Sequence, residues 1–558
     1  MHTTLQHTIL VLSLALTVSA SADAAVNSQH RAVDALLSPL EHPDRPGCAV
    51  GVMQNGRLDY QNAFGLANLE HGIRIDPAST VFNIASMSKQ FTAAAVLLLE
   101  QEGKLSLEDD VRRHLPEMPH FGHKITIRQL LHHTSGLRDY AGMMMIGERN
   151  PVDYTDNKAI MDFLQRQRGL DFVPGSEHGY SNTGYFLLAR IIEKVSGKDY
   201  PTFVRERLFQ PLAMSNSTVP AELGSLLPHR ASGYVPAGPG SYMTAQSGWT
   251  ENGARGVYTT LADLARWDAN FGAPKVGGKE LIADLLEPGR LDDGTRIDYA
   301  GGLRIGMYRG AATIEHGGAD QGFRSGMLRF PDKGISVAVL CNDMGADPYG
   351  LAHKVADIYL EGQLGPAKAG AAQPAKALIQ PDAEKLTGSY WSRERGLVRQ
   401  VRWEQGQLWY VRSSRSRSAL VPVGPGRFQL DMPGGKTEFV FVRSDEGVHL
   451  RMLSPFDKAI EFEAVKPPAW IPATDYAGSF ASKEYETRWL ISVKDGGINV
   501  RGWRDPDEDA RPLTPLSADV FSDGGQVVRF VRDSAGHVVA LRVDSSRSRN
   551  IVFEKASG

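Results

Sequence analysis

Hydrophobic and polar positions follow three regimes along the chain. Near its start, the strand-like runs Val50-Gly51-Val52-Met53 and Leu58-Asp59-Tyr60-Gln61-Asn62-Ala63-Phe64 flank Gln54-Asn55-Gly56-Arg57, which predicts a β-hairpin over 47 to 66. The pattern then becomes helical. A turn-like lead-in from Phe82 to Thr92 runs into the apolar sequence Ala93-Ala94-Ala95-Val96-Leu97-Leu98-Leu99-Glu100, a buried helix. A helix-rich stretch follows from Leu107 to about Met214, broken at Pro174-Gly175, with one helix from Gly184 to Val195. Strand-like runs return between Thr313 and Asn342. A helical insertion in a sheet that opens and closes the unit predicts an α+β domain over 25–364: an antiparallel sheet flanked by helices, with a helical subdomain and an active site at the seam.

The remainder alternates in short β-like runs. Gly365-Pro366-Ala367-Lys368-Ala369-Gly370-Ala371-Ala372-Gln373-Pro374 reads as a linker within 365–382. Beyond it the chain repeats itself: Gly388-Ser389-Tyr390 is answered by Gly478-Ser479-Phe480, Gly434-Gly435 by Gly524-Gly525, and Phe441-Val442-Arg443 by Phe530-Val531-Arg532. Each copy predicts a small antiparallel β-barrel, at 383–467 and 468–558, with the join at Pro467-Pro468. At the other end, the apolar run Ile9 to Val18 precedes small residues with A-x-A spacing at Ala20-Ser21-Ala22 and Ala22-Asp23-Ala24. This predicts a cleaved signal peptide over 1–24, with histidines where such segments usually carry Lys or Arg. The run is too short to span a bilayer, so the expected location is periplasmic or secreted, with no membrane span.

Composition narrows the function classes. A chain of 558 residues is too long for one core, and 42% hydrophobic with 22% charged residues describes an ordinary folded protein. A formal net charge of -3, without basic runs interleaved with aromatics, speaks against nucleic acid as a partner. Cys48 and Cys341 each end a strand-like run; an exported protein permits a disulfide, and two buried thiols fit the sequence equally well. His132 and His133 lack a third ligand at recognisable spacing and read as structural, so no metal and no cofactor is expected.

Three clusters carry candidate chemistry. In Ser86-Met87-Ser88-Lys89, residues three apart share a helix face, so the Lys89 amine can lie under the Ser86 hydroxyl. A lysine stripped of water loses its proton more easily and can take the hydroxyl proton, which makes the pair a nucleophile with its base. In Tyr180-Ser181-Asn182, side chains two apart in extended chain point the same way. Tyr180 is then placed to shuttle protons, and Asn182 to hold Lys89 or a substrate carbonyl. His316-Gly317-Gly318-Ala319 opens a strand pair; its glycines let a substrate backbone lie against a sheet edge, and the Ala319 N-H joins that of Ser86 as oxyanion hole.

Taken in order with Leu130-Leu131-His132-His133-Thr134-Ser135-Gly136-Leu137 and Gly253-Ala254-Arg255-Gly256-Val257-Tyr258, these motifs identify a family. The region from about 30 to 360 resembles the penicillin-recognising serine hydrolases of the class C β-lactamase type. The resemblance implies a β-lactamase/transpeptidase-like fold and an acyl-enzyme on Ser86, with Lys89 and Tyr180 moving protons. One departure matters: those enzymes usually carry Lys-Thr-Gly where this chain has His316-Gly317-Gly318, so recognition of a substrate carboxylate there should be poor.

A catalytic domain followed by two barrels resembles the D-aminopeptidases of this family, as does Leu137-Arg138-Asp139-Tyr140. In those enzymes, the resemblance implies, a loop of the last barrel reaches the active site. The corresponding segment is Gly502 to Pro512, whose Asp505 and Asp507 are candidates for holding a substrate ammonium. The expected activity is release of small N-terminal D-amino acids from peptides or amides. Alternatives are a carboxylesterase, a D,D-peptidase or weak β-lactamase, and a catalytically silent wall-binding protein. A homodimer is compatible with this reading.

Overall fold

In this computed structural model, residues 26, 28–147, 152–245, 247–366, 380–413, 416–432, 435–444, 447–453, 459–466, 473–494, 496–506 and 509–556 are described. The signal segment expected over 1–24, most of the linker expected over 365–382 and the Pro467-Pro468 join lie outside them.

The hairpin is present as β1 (Cys48–Gln54) and β2 (Arg57–Phe64). Asn55 and Gly56 both take positive φ, 51° and 73°, the conformation that a two-residue turn between twisted strands requires. Four later strands complete the sheet: β3 (Arg304–Tyr308), β4 (Ala311–Asp320), β5 (Phe323–Phe330) and β6 (Ile335–Cys341). The six run antiparallel in the order β2-β1-β6-β5-β4-β3, so the first and last strands in sequence are neighbours inside the sheet. There Cys48 faces Cys341, and the two are joined by a disulfide.

Against one face lies α1 (Lys89–Gln101), buried on every side from Lys89 to Leu99. A helix apolar all round belongs in the middle of a domain. It packs on α2 (Asn182–Ser196), on the helical side of the seam.

The two C-terminal units are β-structures, as the repeat predicts. The first is a nine-stranded antiparallel sheet whose two edges, Ser416–Ala419 and Val421–Gly424, are separated by the single residue Leu420. The sheet is therefore rolled on itself, around Tyr390, Phe428, Phe439 and Phe462. The second closes completely, from Gly478–Ser482 round to Ser548–Lys555. The repeat extends to backbone conformation: Gly388 and Gly478, which open the two units, have φ 145° and 148°. The second barrel sits on the helical subdomain. Trp489 Nε1 donates to Ile146 O at 3.3 Å, Tyr485 stacks edge-on to Phe163 at 5.4 Å, and the buried Arg138 donates to Glu484 at 3.1 Å.

Candidate active site

Ser86 stands on a tight turn. Ala85 has φ 48°, a left-handed conformation that costs a non-glycine residue about 1 kcal/mol or more. It is held there by its N-H donating to Asn83 Oδ1 at 2.8 Å. Ala85–Ser88 form one 3-10 turn before α1 begins at Lys89, and in that geometry residues three apart eclipse. The alignment expected for an α-helix is thus met by a different helix, with Lys89 Nζ 3.2 Å from Ser86 Oγ.

Lys89 is fully buried. Its amine has two further partners, Asn182 Oδ1 and Ala254 O, both at 2.8 Å. Burial pushes its pKa below the ordinary lysine value; Tyr180 and Asp139 pull the other way, and Arg547 adds to the lowering. Lys89 Nζ donates to all three oxygens, Ser86 Oγ, Asn182 Oδ1 and Ala254 O, and also bonds the Tyr180 side chain; loss of one proton would free a lone pair toward a hydroxyl.

Asn182 opens α2, after Ser181 in extended conformation (φ -136°, ψ 124°), which turns Tyr180 and Asn182 to the same side as the spacing predicts. The Tyr180 ring centroid lies 4.9 Å from Lys89 Nζ. His133 backs that ring, with centroids 4.3 Å apart, and its Nδ1 accepts from Ser181 N at 3.2 Å. Burial holds His133 well below the usual histidine pKa and pushes His132 down to about 4, so both stay neutral, His133 accepting from Ser181 and His132 bonded to the Glu287 backbone.

His316 is buried on β4. Its Nδ1 faces Gly317 O at 2.6 Å, and because a carbonyl only accepts, Nδ1 carries the hydrogen. Nε2 then accepts from Tyr299 OH at 3.0 Å. Burial, with Lys89 and Arg304 nearby, pushes its pKa down to about 3. His316 therefore brings no positive charge to the site. The glycines beside it serve contacts within the protein. A Cβ on Gly318 would lie 2.2 Å from Ile84 O, and one on Gly317 would lie 2.2 Å from the Tyr349 ring. Gly318 thus lets β4 press against the Ser86 turn, where Ser325 Oγ, opposite it on β5, donates to Ile84 O at 2.9 Å. The close approach expected for a substrate backbone is occupied by the nucleophile's own turn, and Ala319 comes next along that edge.

Residues 33–360 match the family model described as Beta-lactamase. Penicillin-binding protein 4* of Bacillus subtilis (strain 168) is 32% identical over 406 residues, 69% of this chain and 88% of that protein. The D-aminopeptidase of Gluconobacter oxydans (strain 621H) is 28% identical over 94% of this chain and 98% of its own length. The solved octameric penicillin-binding protein homologue from Pyrococcus abyssi superposes with a TM-score of 0.54 at 23% identity, covering 78% of this chain and all of that one.

The chain belongs to the beta-lactamase family. It is a serine hydrolase of that family, with the family's sheet and helices followed by barrel-like β-units.

Two residues that sequence reasoning did not assign to the site stand in it. Asp139 is buried, and its Oδ2 accepts from Asn182 N at 2.8 Å and from Asn182 Nδ2 at 2.9 Å. This turns the Asn182 amide so that its oxygen faces Lys89. The run Leu137-Arg138-Asp139-Tyr140 is conspicuous in the sequence, but its partner is not. The second residue is Arg547, in the hairpin between Val538–Ser545 and Ser548–Lys555 of the closed barrel. Its guanidinium carbon lies 5.0 Å from the Tyr180 ring centroid.

A barrel segment other than the expected one thus stands at Tyr180, and its charge is positive. Asp505 folds onto its own turn, its side chain accepting from Gly502 N at 3.1 Å and its carbonyl from Arg501 at 2.8 Å. Among the described residues, no hydrogen bond or ion pair ties it to the catalytic domain. Its charge is satisfied by local backbone, as charge runs on turns usually are. Asp507 lies outside the described residues.

Proposed function

We propose that this serine hydrolase is a D-aminopeptidase acting through an acyl-enzyme on Ser86. The observation that carries the reading is the buried Lys89 amine, its pKa lowered, 3.2 Å from Ser86 Oγ. Neutral Lys89 takes the Ser86 proton as Oγ attacks the substrate carbonyl, with the oxyanion received by the N-H groups of Ser86 and Ala319. Tyr180, beside Lys89, passes a proton to the leaving amine as the C-N bond breaks. Water then attacks the Ser86 ester, with the same groups run in reverse, and frees the acid.

The likeness to a D-aminopeptidase along almost the whole chain supports the amino-terminal specificity. The neighbouring cavity is the candidate place for the substrate's amino end. A space of about 520 Å³ opens beside Asn83, three residues before Ser86, and Asp320, one residue beyond Ala319. Its lining holds three carboxylates, Glu222, Glu251 and Asp320, against two guanidiniums, Arg230 and Arg255. Arg255 pairs with both Glu251 and Asp320, and burial raises the Glu251 pKa, which leaves Glu222 as the candidate partner of a substrate ammonium, in the role the sequence assigned to Asp505 and Asp507.

The test is hydrolysis of D-alanine and L-alanine p-nitroanilides, a short-chain p-nitrophenyl ester and a chromogenic cephalosporin, by the intact protein and by Ser86→Ala. Preference for the D-anilide, abolished in the variant, is the expected result. Ester turnover without either anilide moves the protein to the carboxylesterases.

A further inference from the structure

His316-Gly317-Gly318 itself carries no cation of the kind that grips a substrate carboxylate in the enzymes it resembles, and the closed barrel brings one to Tyr180, whose ring lies 6.3 Å from that of His316. The Tyr180 ring centroid has Lys89 Nζ at 4.9 Å and the Arg547 guanidinium at 5.0 Å. Lys89 is fully buried, whereas the Arg547 side chain is 50% exposed.

The hairpin backbone around Arg547 is fixed from several directions. Arg547 O accepts from Asp139 N at 3.1 Å, Arg549 N donates to Asp171 Oδ1 at 2.6 Å, and Asn550 O accepts from Arg138 at 3.1 Å. Arg549 also reaches Glu177 at 3.1 Å. The guanidinium itself is not committed. Its ion-pair neighbour is Asp139 Oδ2 at 3.9 Å, beyond hydrogen-bonding distance, and that oxygen already accepts twice from Asn182. Among the described residues no hydrogen bond takes up its N-H groups. A half-exposed guanidinium with free donors, carried on a fixed hairpin backbone, matches a carboxylate in charge and in planar two-point geometry.

We propose that Arg547 binds a carboxylate on the leaving-group side of the scissile bond, so that the preferred substrates are short peptides whose leaving amino acid carries a free carboxyl. This deepens the aminopeptidase reading and rests on it for the identity of the acyl group. The side follows from Tyr180: the group that protonates the leaving nitrogen stands next to it, and a cation over that ring faces what the nitrogen carries. The amino end and the carboxyl end of a dipeptide then meet charges of opposite sign, supplied by the catalytic domain and the barrel.

The test compares D-alanyl-glycine with D-alanyl-glycinamide, which differ only in the carboxylate. The wild-type protein is expected to favour the free acid in kcat/KM by tenfold or more, through KM. Arg547→Ala brings the ratio to about one, and Arg547→Lys, which keeps the charge and loses the fork, falls between. Equal turnover of the two by the wild-type protein, or an Arg547→Ala ratio equal to wild type, overturns the proposal. The wild-type comparison decides even if Arg547→Ala fails to fold. If neither dipeptide is cleaved, the aminopeptidase reading fails, and the carboxylate preference is read on O-acetyl glycolate against O-acetyl glycolamide with the same two outcomes.

Discussion

Asp139 holds Asn182 by two bonds to one oxygen, from the backbone N-H at 2.8 Å and from Nδ2 at 2.9 Å. Its other oxygen accepts from Ala141 N and Gly142 N, which begins the helix Tyr140–Ile146. One buried carboxylate thereby joins the helical subdomain to Lys89. With Asp139→Ala, the Asn182 amide is free to turn its NH2 toward Lys89, and kcat is expected to fall about a hundredfold with KM little changed. Asp139→Asn, which still offers an oxygen, should retain part of the rate. Steady-state kinetics, with a count of acylatable Ser86, check both.

Because burial lowers the Lys89 pKa, the acid limb of the kcat/KM profile should rise at a pH below that of an ordinary lysine. Arg547 contributes to the lowering. Its removal makes the ammonium easier to keep, so Arg547→Ala should move the limb to higher pH. A pH profile on D-alanine p-nitroanilide measures the shift, and a move to lower pH contradicts the assignment.

Gly318→Ala puts a Cβ 2.2 Å from Ile84 O, backbone that cannot step aside. The strand must move off the Ser86 turn, and overpacking of this kind costs roughly 1–3 kcal/mol. Activity should fall at least tenfold, together with a lower Tm. Gly326→Ala on the neighbouring strand meets nothing closer than Pro348 at 3.5 Å and serves as the control in kinetics and calorimetry.

Glu315 is buried beside His316, and its Oε1 has no partner among the described residues. Burial raises its pKa from 4.5 to about 7. The folded state therefore holds a proton that the unfolded state gives up between those values, and stability falls as pH rises through that window. The integrated loss is at most ~3 kcal/mol. Glu315→Gln should flatten this part of the profile and raise Tm at pH 8, as denaturation at several pH values will report.

How much of this was legible depends on how far apart the partners lie. Ser86 with Lys89 and Tyr180 with Asn182 are local pairs, aligned by helical or extended backbone, and the structure places them as their spacing predicts. The hairpin turn at Asn55-Gly56 and the 90-residue repeat are legible for the same reason. Gly318 is conspicuous, but the atom that requires it is Ile84 O, which only the folded sheet brings near. Asp139 depends on Asn182, an element away. Arg547 lies at the far limit: within Ser545-Ser546-Arg547-Ser548-Arg549 it reads as a solvated turn, and its neighbours Asp139 and Tyr180 lie in another domain. The acidic loop at 502 to 512 stands out in the sequence by its charge, a property that solvent and local backbone can satisfy without any partner.

The placement of Arg547 also bears on how the enzyme is made. Domains tend to fold in the order in which they leave the ribosome. Ser86 and Lys89 can meet as soon as the sheet and α1 are in place, whereas the guanidinium arrives only when the second barrel has closed and docked. A nascent or clipped chain lacking that barrel would already own a nucleophile and its base, yet would lack the Arg547 guanidinium. Maturation of this hydrolase is then a gain of discrimination as well as of stability, and a truncated form is best regarded as an enzyme with different tastes.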